Sequence, residues 1–300
     1  MTASRFPAAG PPLLELSRAA IFFDGQYSSP RIHHPEGVAV APDGAVWCGN
    51  AEGDILRIAA DGSGVEKIAS TDGFVLGLAF DGPDVLYVCE QRNAAVLRLD
   101  IPARRLERLA TQGSIRIPNY PVVDPARRAL YVSDSIGFGE EGPGVWRFDL
   151  VTGHGRLWCT EPMQFANGMA LTPEGDALYV AETFARRITR IAIGPDGEPA
   201  GRSDVAVDLP GLPDGVAVDG RGIVHVACYQ PSRILRITPE GRAEVLIEDP
   251  HATLMCHPTN IAFDGSTLYA ANLGRWHITR IETDTFAEPL AGRLGREQHA

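Results

Sequence analysis

Four oxygen-bearing side chains occur at matching points of a repeated sequence pattern. They are Glu36, Asn119, Asn167 and Asp214, and all but Asn119 directly precede a glycine. Two carboxylates and two amides together offer hard oxygen donors with two negative charges, a donor set that suits a divalent hard cation. Two carboxylates held close together also repel each other unless they are protonated or bridged by a cation. Because the set contains no Cys or His, it favours Ca²⁺ as the bound ion, with Mg²⁺, Mn²⁺ and Zn²⁺ as alternatives.

The repeated pattern itself indicates which elements position these side chains. A polar step, an alternating apolar strand, a Gly/Asp turn and a second strand often containing Tyr-Val recur along the chain, with copies beginning near residues 35, 75, 118, 166, 213 and 258. The second residues of the copies, spaced 40 to 48 residues apart, are Glu36, Leu76, Asn119, Asn167, Asp214 and Thr259. This period is typical of a four-stranded propeller blade and too long for most helical or leucine-rich repeats.

The six copies predict an all-β fold, a six-bladed β-propeller with four-stranded antiparallel blades, as a single domain over residues 1–300. Segments between the copies, such as VEKIAS and SDVAVDL, supply the outer strands. We expect residues 1–18 to be a flexible N-terminal segment. The segment AAIFFDG, around residues 21–23, is expected to pair with the last blade, close the ring and hide a strand edge, with EPLAG near Leu290 as the rival.

The predicted fold brings the four oxygen-bearing side chains together at one mouth of a central channel, because the innermost strand of every blade starts there. Their alternative role is structural, since Asn-Gly and Asp-Gly pairs are common in turns. The second strand of each blade returns to the same face, where its end offers a second shell or a substrate rim. The predicted second-shell and substrate residues are Asp134, Glu182, Asn260, Asn272, Tyr229 and His257. Polar strand ends that simply meet water are the alternative. The Gly-rich loop at residues 135–144 is interpreted as a lid, or else as a solvated connection.

Composition narrows the class of partner. The net charge of -11 argues against nucleic acid or an anionic membrane as the main partner, so we expect a small-molecule substrate. The N-terminal sequence has no apolar run long enough for a signal peptide or a membrane span. The five cysteines are widely spaced and mostly lie in apolar runs, which is typical of reduced core residues in a cytoplasmic protein. The sequence leaves the oligomeric state open.

Three stretches carry a family resemblance: NGMALTPEGDALYVAET, PDGVAVDGRGIVHVACYQPSRILRITPEGR and PTNIAFDGSTLYAANLG. With the rest of the chain from about residue 36 to residue 281, they resemble the senescence marker protein (regucalcin)/gluconolactonase family of six-bladed propeller lactonases. That family holds a divalent ion with a Glu of the first blade and with Asn and Asp of later blades. The matching positions here are Glu36, Asn167 and Asp214, with Asn119 as a further Asn.

The chain departs from the family pattern in two blades. The first blade reads PEGVAV where the family usually has an EGP-Trp start, and it also looks somewhat like propellers of the strictosidine synthase type. Those propellers rely on an acidic residue in the last blade, and ANLGRWHI offers no carboxylate at the matching place. The third blade reads IPNYPVV, which keeps Asn119 but lacks the Arg and the Asp-Gly of the family motif. That Arg often grips sugar acids in the family, so its absence weakens the case for an aldonolactone substrate.

The expected function is metal-dependent hydrolysis of a lactone or related ester. A divalent cation at the mouth polarises the carbonyl group, and a water attacks it. Either the cation or Asp214 activates this water, and the resemblance favours Asp214 as the general base. Two alternatives stay open: a calcium-dependent phosphotriesterase with a similar metal cup, and a non-catalytic propeller that binds a protein partner.

Overall fold

The structure, a computed structural model, describes residues 6–7 and 9–287, which form almost only β-strands. Six sheets follow one another along the chain and form the blades of a six-bladed β-propeller. Within a blade, each strand pairs antiparallel with the next one along the chain. The predicted fold class is therefore confirmed.

Blades one to five take their strands from consecutive parts of the chain, from the centre outward, and blade six is completed by the N-terminal strand. The strands of blades one to three are β2 (Val38–Val40), β3 (Val46–Gly49), β4 (Asp54–Ile58), β5 (Val65–Ser70); β6 (Val75–Phe80), β7 (Val85–Glu90), β8 (Ala95–Asp100), β9 (Arg105–Arg108); and β11 (Pro118–Asp124), β12 (Ala129–Asp134), β13 (Glu141–Asp149), β14 (His154–Gln164). Those of blades four to six are β15 (Ala166–Leu171), β16 (Ala177–Glu182), β17 (Arg187–Ile193), β18 (Pro199–Ala206); β19 (Leu212–Val218), β20 (Val224–Gln230), β21 (Arg233–Ile237), β22 (Ala243–Glu248); and β23 (Pro258–Asn272), β24 (His277–Ala287), β1 (Ala19–Asp24).

Two blades differ in detail from the repeated plan. Blade three carries a fifth strand, β10 (Ala110–Gln112), which pairs parallel with β14. In blade six the long strand β23 passes through Gly265, whose φ is +57°. Its first half bonds to blade one through the Asn260 amide, and its second half pairs with β24. The loop predicted at residues 135–144 is shorter than expected, because β13 already begins at Glu141.

The ring closes through the N-terminal strand, as the sequence predicted. Strand β1 pairs antiparallel with β24, with Ala20 opposite Arg280 and Asp24 opposite His277. The rival segment near Leu290 lies outside the described residues. Part of the segment expected to be flexible is bound instead: the amides of Leu13 and Leu14 donate to main-chain carbonyls of β22, and a 3-10 helix (Leu16–Arg18) leads into β1. This part of the N-terminal segment is held by apolar contacts as well, because Leu14 and Leu16 pack against the core between blades five and six.

Apolar side chains between the blades hold the ring together. Six clusters of buried residues lie between the six pairs of neighbouring blades, including the pair formed by the last blade and the first. Between blades one and two, for example, Trp47 packs edge-on against Phe80, with ring centroids 5.5 Å apart. Burial of apolar surface at every blade contact stabilises the ring as a whole and fixes where each innermost strand starts.

Candidate functional site at the channel mouth

The four predicted ligand residues all lie at the starts of innermost strands and are all buried. Glu36 lies just before β2, Asn119 and Asn167 are the second residues of β11 and β15, and Asp214 is the third residue of β19. Their exposed fractions are between 3% and 6%. Burial of two carboxyl groups and two amides in one region is costly unless each oxygen finds a partner.

Those partners are missing within the protein. One side-chain oxygen of each residue is buried without a hydrogen bond: Oε2 of Glu36, Oδ1 of Asn119, Oδ1 of Asn167 and Oδ1 of Asp214. Oδ1 of Asn260, also at the start of an innermost strand, is the fifth. Among the described residues, the Tyr131 hydroxyl is the only other side-chain oxygen in this condition. An unsatisfied buried acceptor costs about 1–3 kcal/mol, so five of them at the starts of innermost strands call for a bound species that accepts their lone pairs.

Two hydroxyl groups fix which way the amides point. The Asn119 amide nitrogen donates to the Ser135 hydroxyl at 3.0 Å, and that hydroxyl donates to the Ala166 carbonyl of the next blade at 2.8 Å. The Asn167 amide nitrogen likewise donates to the Thr183 hydroxyl at 3.1 Å, which donates to the Pro213 carbonyl at 2.7 Å. Because each nitrogen is engaged, each Oδ1 is the atom left without a partner.

A related arrangement holds Glu36 at the junction of blades six and one. The Thr259 hydroxyl and the Asn260 amide nitrogen both donate to the Glu36 carbonyl, at 2.8 and 2.9 Å. The main chain of Glu36 is therefore anchored to the blade that closes the ring, while its Oε2 stays without a partner.

The Asp214 charge affects the ionisation of Glu36. Burial raises the pKa of Glu36 well above its ordinary value and the charge of Asp214 raises it further, whereas a hydrogen bond with Thr259 lowers it. Burial also raises the pKa of Asp214 from 3.8 to about 7, against a hydrogen bond with Asn167 that lowers it. Both carboxyl groups are thus costly to ionise together, which is the condition that a divalent cation relieves.

Glycines allow the innermost strands to approach one another at this mouth. A Cβ on Gly168 would lie 2.5 Å from the Asp214 carbonyl oxygen, and one on Gly215 would lie 2.6 Å from the Thr259 carbonyl oxygen. No side chain fits at such distances. The Asn-Gly and Asp-Gly pairs therefore serve the close approach of neighbouring blades, which explains why they follow the candidate ligands.

An aromatic pair flanks the carboxyl groups. Tyr229 stacks on His257 with ring centroids 4.5 Å apart, and the His257 Nδ1 is 2.8 Å from the Tyr229 carbonyl oxygen. Burial raises the pKa of Tyr229, and so do the charges of Glu36 and Asp214, so the phenol lies within electrostatic range of both carboxyl groups. The structure thus brings two of the six predicted substrate residues beside the candidate ligands, and Asn260 is a third.

The other three are occupied by hydrogen bonds to nearby strands and loops, including the Gln164 amide of blade three that donates to Glu182. Asp134 accepts the amides of Arg116, Ile117 and Ile136, and Glu182 accepts the guanidinium of Arg187 and the hydroxyl of Thr189. Asn272 accepts the Cys256 amide and donates to Thr279. All three are buried, and each ties together loops or strands around its own blade. We therefore do not carry them forward as substrate contacts.

Sequence reasoning missed the two hydroxyl groups that orient the amides. Ser135 and Thr183 each follow directly after the end of the second strand of their blade, and Tyr229 holds the equivalent place in blade five. A comparison of the residues at that position across the six repeats could have revealed these hydroxyl groups. A Ser or Thr at a strand end is ordinary, however, and only the pairing with the neighbouring Asn distinguishes it.

The candidate metal centre is confined to one mouth of the channel. A cavity of about 290 Å³ runs along the later parts of the innermost strands, is lined largely by apolar side chains such as Val40, Phe80 and Phe263, and includes none of the four ligand residues. We place the chemistry at the other end, because the unpartnered oxygens lie there. No group of three His, Cys, Asp or Glu side chains within residues 6–7 and 9–287 is arranged to hold a metal, so any ion at this mouth depends on the amides.

The fold and the buried oxygens define a class: a six-bladed propeller with an acidic, amide-rich channel mouth. Residues 75–272 match the SMP-30/Gluconolactonase/LRE-like region, and residues 26–58 match the N-terminal part of strictosidine synthase-like proteins. The chain therefore belongs to the SMP-30/gluconolactonase/LRE-like family, as the resemblance implied.

Individual relatives differ in how much of their length is matched. L-arabinolactonase of Azospirillum brasilense is 25% identical over 265 residues, 83% of each chain. The adipocyte plasma membrane-associated protein Hemomucin of Drosophila melanogaster is 27% identical over 228 residues, 64% of this chain and 38% of that protein. The chain spans between 38% and 56% of the length of the first curated relatives it matches. The solved structure of the calcium-binding protein regucalcin from Agrobacterium tumefaciens superposes with a TM-score of 0.70 at 17% identity, over 87% of this chain and 94% of that one, and supports the fold.

In the described part of the chain, no helix has the length and apolar character needed to cross a membrane.

Proposed function

We propose that this chain hydrolyses lactones with the help of one divalent cation, Ca²⁺ in the first instance, held by Glu36, Asn119, Asn167 and Asp214. The observation that carries the proposal is the set of buried, unpartnered oxygens, one on each of these residues. They are hard donors with at most two negative charges, which fits a divalent hard cation. The name of the L-arabinolactonase relative supports the reaction, and the name of the regucalcin neighbour supports the choice of calcium.

The bound cation supplies polarisation of the lactone carbonyl and stabilisation of the charge that develops on its oxygen. Asp214 acts as the general base, because a carboxylate that holds the cation through one oxygen can turn its other oxygen toward the attacking water. It takes a proton from water as the water oxygen bonds to the carbonyl carbon. The ring carbon–oxygen bond then breaks, and the ring oxygen leaves as a hydroxyl after accepting that proton from Asp214.

Tyr229 and His257 complete the wall of the site. The Tyr229 hydroxyl lies within electrostatic range of both carboxyl groups and offers a donor to the substrate or to the attacking water. The His257 ring is held by its Nδ1 contact with the Tyr229 carbonyl and by stacking, so the pair keeps one orientation.

The cellular setting forms part of the same proposal. All five cysteines are free and buried, as the sequence predicted for core residues. Free buried thiols suit a reducing compartment, so we place the protein in the cytoplasm with a small-molecule substrate.

The test is calorimetric titration of chelator-stripped protein with Ca²⁺, repeated on Asp214→Asn and on Glu107→Gln. The first variant keeps the side-chain shape and removes one charge at the site, whereas Glu107 lies half-exposed on the outer strand β9. We expect binding in the parent and in Glu107→Gln and loss of binding in Asp214→Asn, with lactone turnover lost in parallel. No binding in the parent would refute the metal site and favour a propeller that binds a protein partner. Turnover of phosphotriesters in preference to lactones would assign the second hydrolytic function instead.

A further inference from the structure

Three phenylalanine side chains form an aromatic cluster beside the amide-orienting hydroxyls. Phe138, Phe165 and Phe184 contact one another with ring centroids 5.1 to 6.1 Å apart. Phe138 is 74% exposed and Phe184 is 40% exposed, whereas Phe165 is buried beneath them. Exposed apolar surface of this kind costs about 25 cal/mol per Å², and contiguous apolar patches commonly mark binding sites.

The position of the cluster ties it to the candidate metal centre. Phe184 directly follows Thr183, whose hydroxyl orients Asn167, and the Thr183 amide donates to the Phe165 carbonyl. Phe165 directly precedes Ala166, whose carbonyl accepts the Ser135 hydroxyl. Phe138 lies three residues after Ser135, in the loop interpreted from the sequence as a lid. Each phenylalanine therefore lies, along the sequence, within three residues of a group that helps to orient the ligand amides: the Ser135 hydroxyl, the Ala166 carbonyl or the Thr183 hydroxyl.

Charged groups on the same loop are already paired. The Arg116 guanidinium bonds to both carboxylate oxygens of Glu140, at 2.6 and 3.2 Å. Glu141 at the start of β13 accepts the Gln164 side-chain amide. The surface that this rim presents beside the mouth is thus aromatic, with Arg116 neutralised by a bidentate partner.

We infer that the Phe138–Phe165–Phe184 cluster binds an apolar substituent of the substrate, so that the preferred lactones carry an alkyl or aryl group and are not polyhydroxylated sugar lactones. This inference rests on the proposed function and assigns its substrate class. An alkyl chain laid across the rings buries apolar surface on both sides, whereas a polyhydroxylated substituent there would lose water without gaining donors or acceptors. Phe138 and Phe184 are then specificity-determining residues of the third and fourth blades.

The kinetic test compares two γ-lactones that share a five-membered ring and differ in the substituent, together with one six-membered sugar lactone. We expect kcat/KM for γ-decalactone to exceed that for γ-butyrolactone and for glucono-1,5-lactone. Phe138→Ser and Phe184→Ser should each lower kcat/KM for γ-decalactone about tenfold, mainly through KM, and leave γ-butyrolactone within about twofold. Tyr27→Ser, which removes an aromatic ring that is 86% exposed elsewhere, is the matched control and should change neither.

A binding measurement separates this inference from the hydrolytic one. The γ-hexyl lactam, in which an amide replaces the ester, should bind calcium-loaded parent and lose about tenfold in affinity in Phe138→Ser. A parent that hydrolyses lactones but prefers glucono-1,5-lactone, or variants that lose both lactones equally, would overturn the substrate class and leave the hydrolytic function standing. A parent that hydrolyses no lactone overturns the proposed function. Variants that change sedimentation behaviour instead of lactam affinity would assign the cluster to an interface between copies of the chain.

Discussion

Asp214 and Glu36 show how a buried pair of carboxyl groups becomes useful once a cation is available. Each is raised in pKa by burial, and the Asp214 charge raises the pKa of Glu36 further. Neither residue forms an ion pair with Lys or Arg in the described part of the chain, in contrast to the buried Glu182, which is held by Arg187. A fold that leaves two carboxyl groups uncompensated at equivalent strand starts has kept a site at the expense of some stability in the metal-free state.

This balance predicts how the stability of the metal-free protein changes with pH. The ordinary pKa of Asp214 is 3.8 and its folded value is about 7, so between these values the folded protein holds a proton that the unfolded chain has lost. The free energy of unfolding should therefore fall as the pH rises from 5 to 8 in the presence of chelator. Added Ca²⁺ should restore it, and should do so more strongly at pH 8 than at pH 5.

The control for this prediction is Asp214→Asn, which removes the titration. His277 acts in the opposite direction, because burial lowers its pKa and stability from this group rises with pH up to its ordinary value of 6.5. The difference between the parent and Asp214→Asn, measured as the denaturant midpoint from pH 5 to 8, reports the titration of Asp214 together with its effect on the pKa of Glu36. A parent and variant with parallel pH profiles would show that Asp214 is already ionised in the metal-free protein.

At the scale of the strand, the site is built by pairs of elements. The start of an innermost strand supplies the candidate ligand, and the residue that follows the second strand orients it, as Thr183 orients Asn167. The repeat pattern predicted the ligands because their positions follow from strand order alone. It could not separate Thr183 from the preceding Glu182, since both are polar residues at a strand end. Only their hydrogen-bond partners, Asn167 for Thr183 and Arg187 for Glu182, distinguish their roles.

The hydroxyl of Thr183 offers the sharpest test of this arrangement. Thr183→Val keeps the shape but can neither accept from the Asn167 amide nor donate to the Pro213 carbonyl. We expect calcium affinity to fall about 10- to 100-fold, as for other groups that orient metal ligands. Thr183→Ser should retain affinity, and Thr111→Val on the outer strand β10 should leave it unchanged. If Thr183→Val binds calcium as the parent does, the amide is oriented by something other than this hydroxyl.

At the scale of the whole molecule, the channel mouth depends on the closed ring. The last blade contributes the Thr259 and Asn260 side chains that hold the Glu36 carbonyl, and that blade is completed by the first strand of the chain. The number of blades and the closing strand followed from the sequence, because six similar repeats and one leftover strand leave few arrangements. The fifth strand β10 and the docking of Leu13 on β22 did not, since both depend on short segments with no strong pattern of their own.

The seam between β1 and β24 is therefore where the ring should open first, since β1 is the strand that completes the last blade from the other end of the chain. A cross-strand disulfide from Ala20→Cys and Arg280→Cys lies at a register pair of these strands, where Cα atoms of antiparallel neighbours are close enough to be bridged. We expect the oxidised double variant to exceed the same protein under reductant by about 2–4 kcal/mol in free energy of unfolding. Because the native cysteines are buried, they should not compete for the bridge, and the reduced form serves as its own control. Calcium affinity should be equal in the two forms, since the bridge lies on the outer edge of blade six. Equal stability with and without reductant, with the bridge shown to be formed, would mean that unfolding begins at another blade contact.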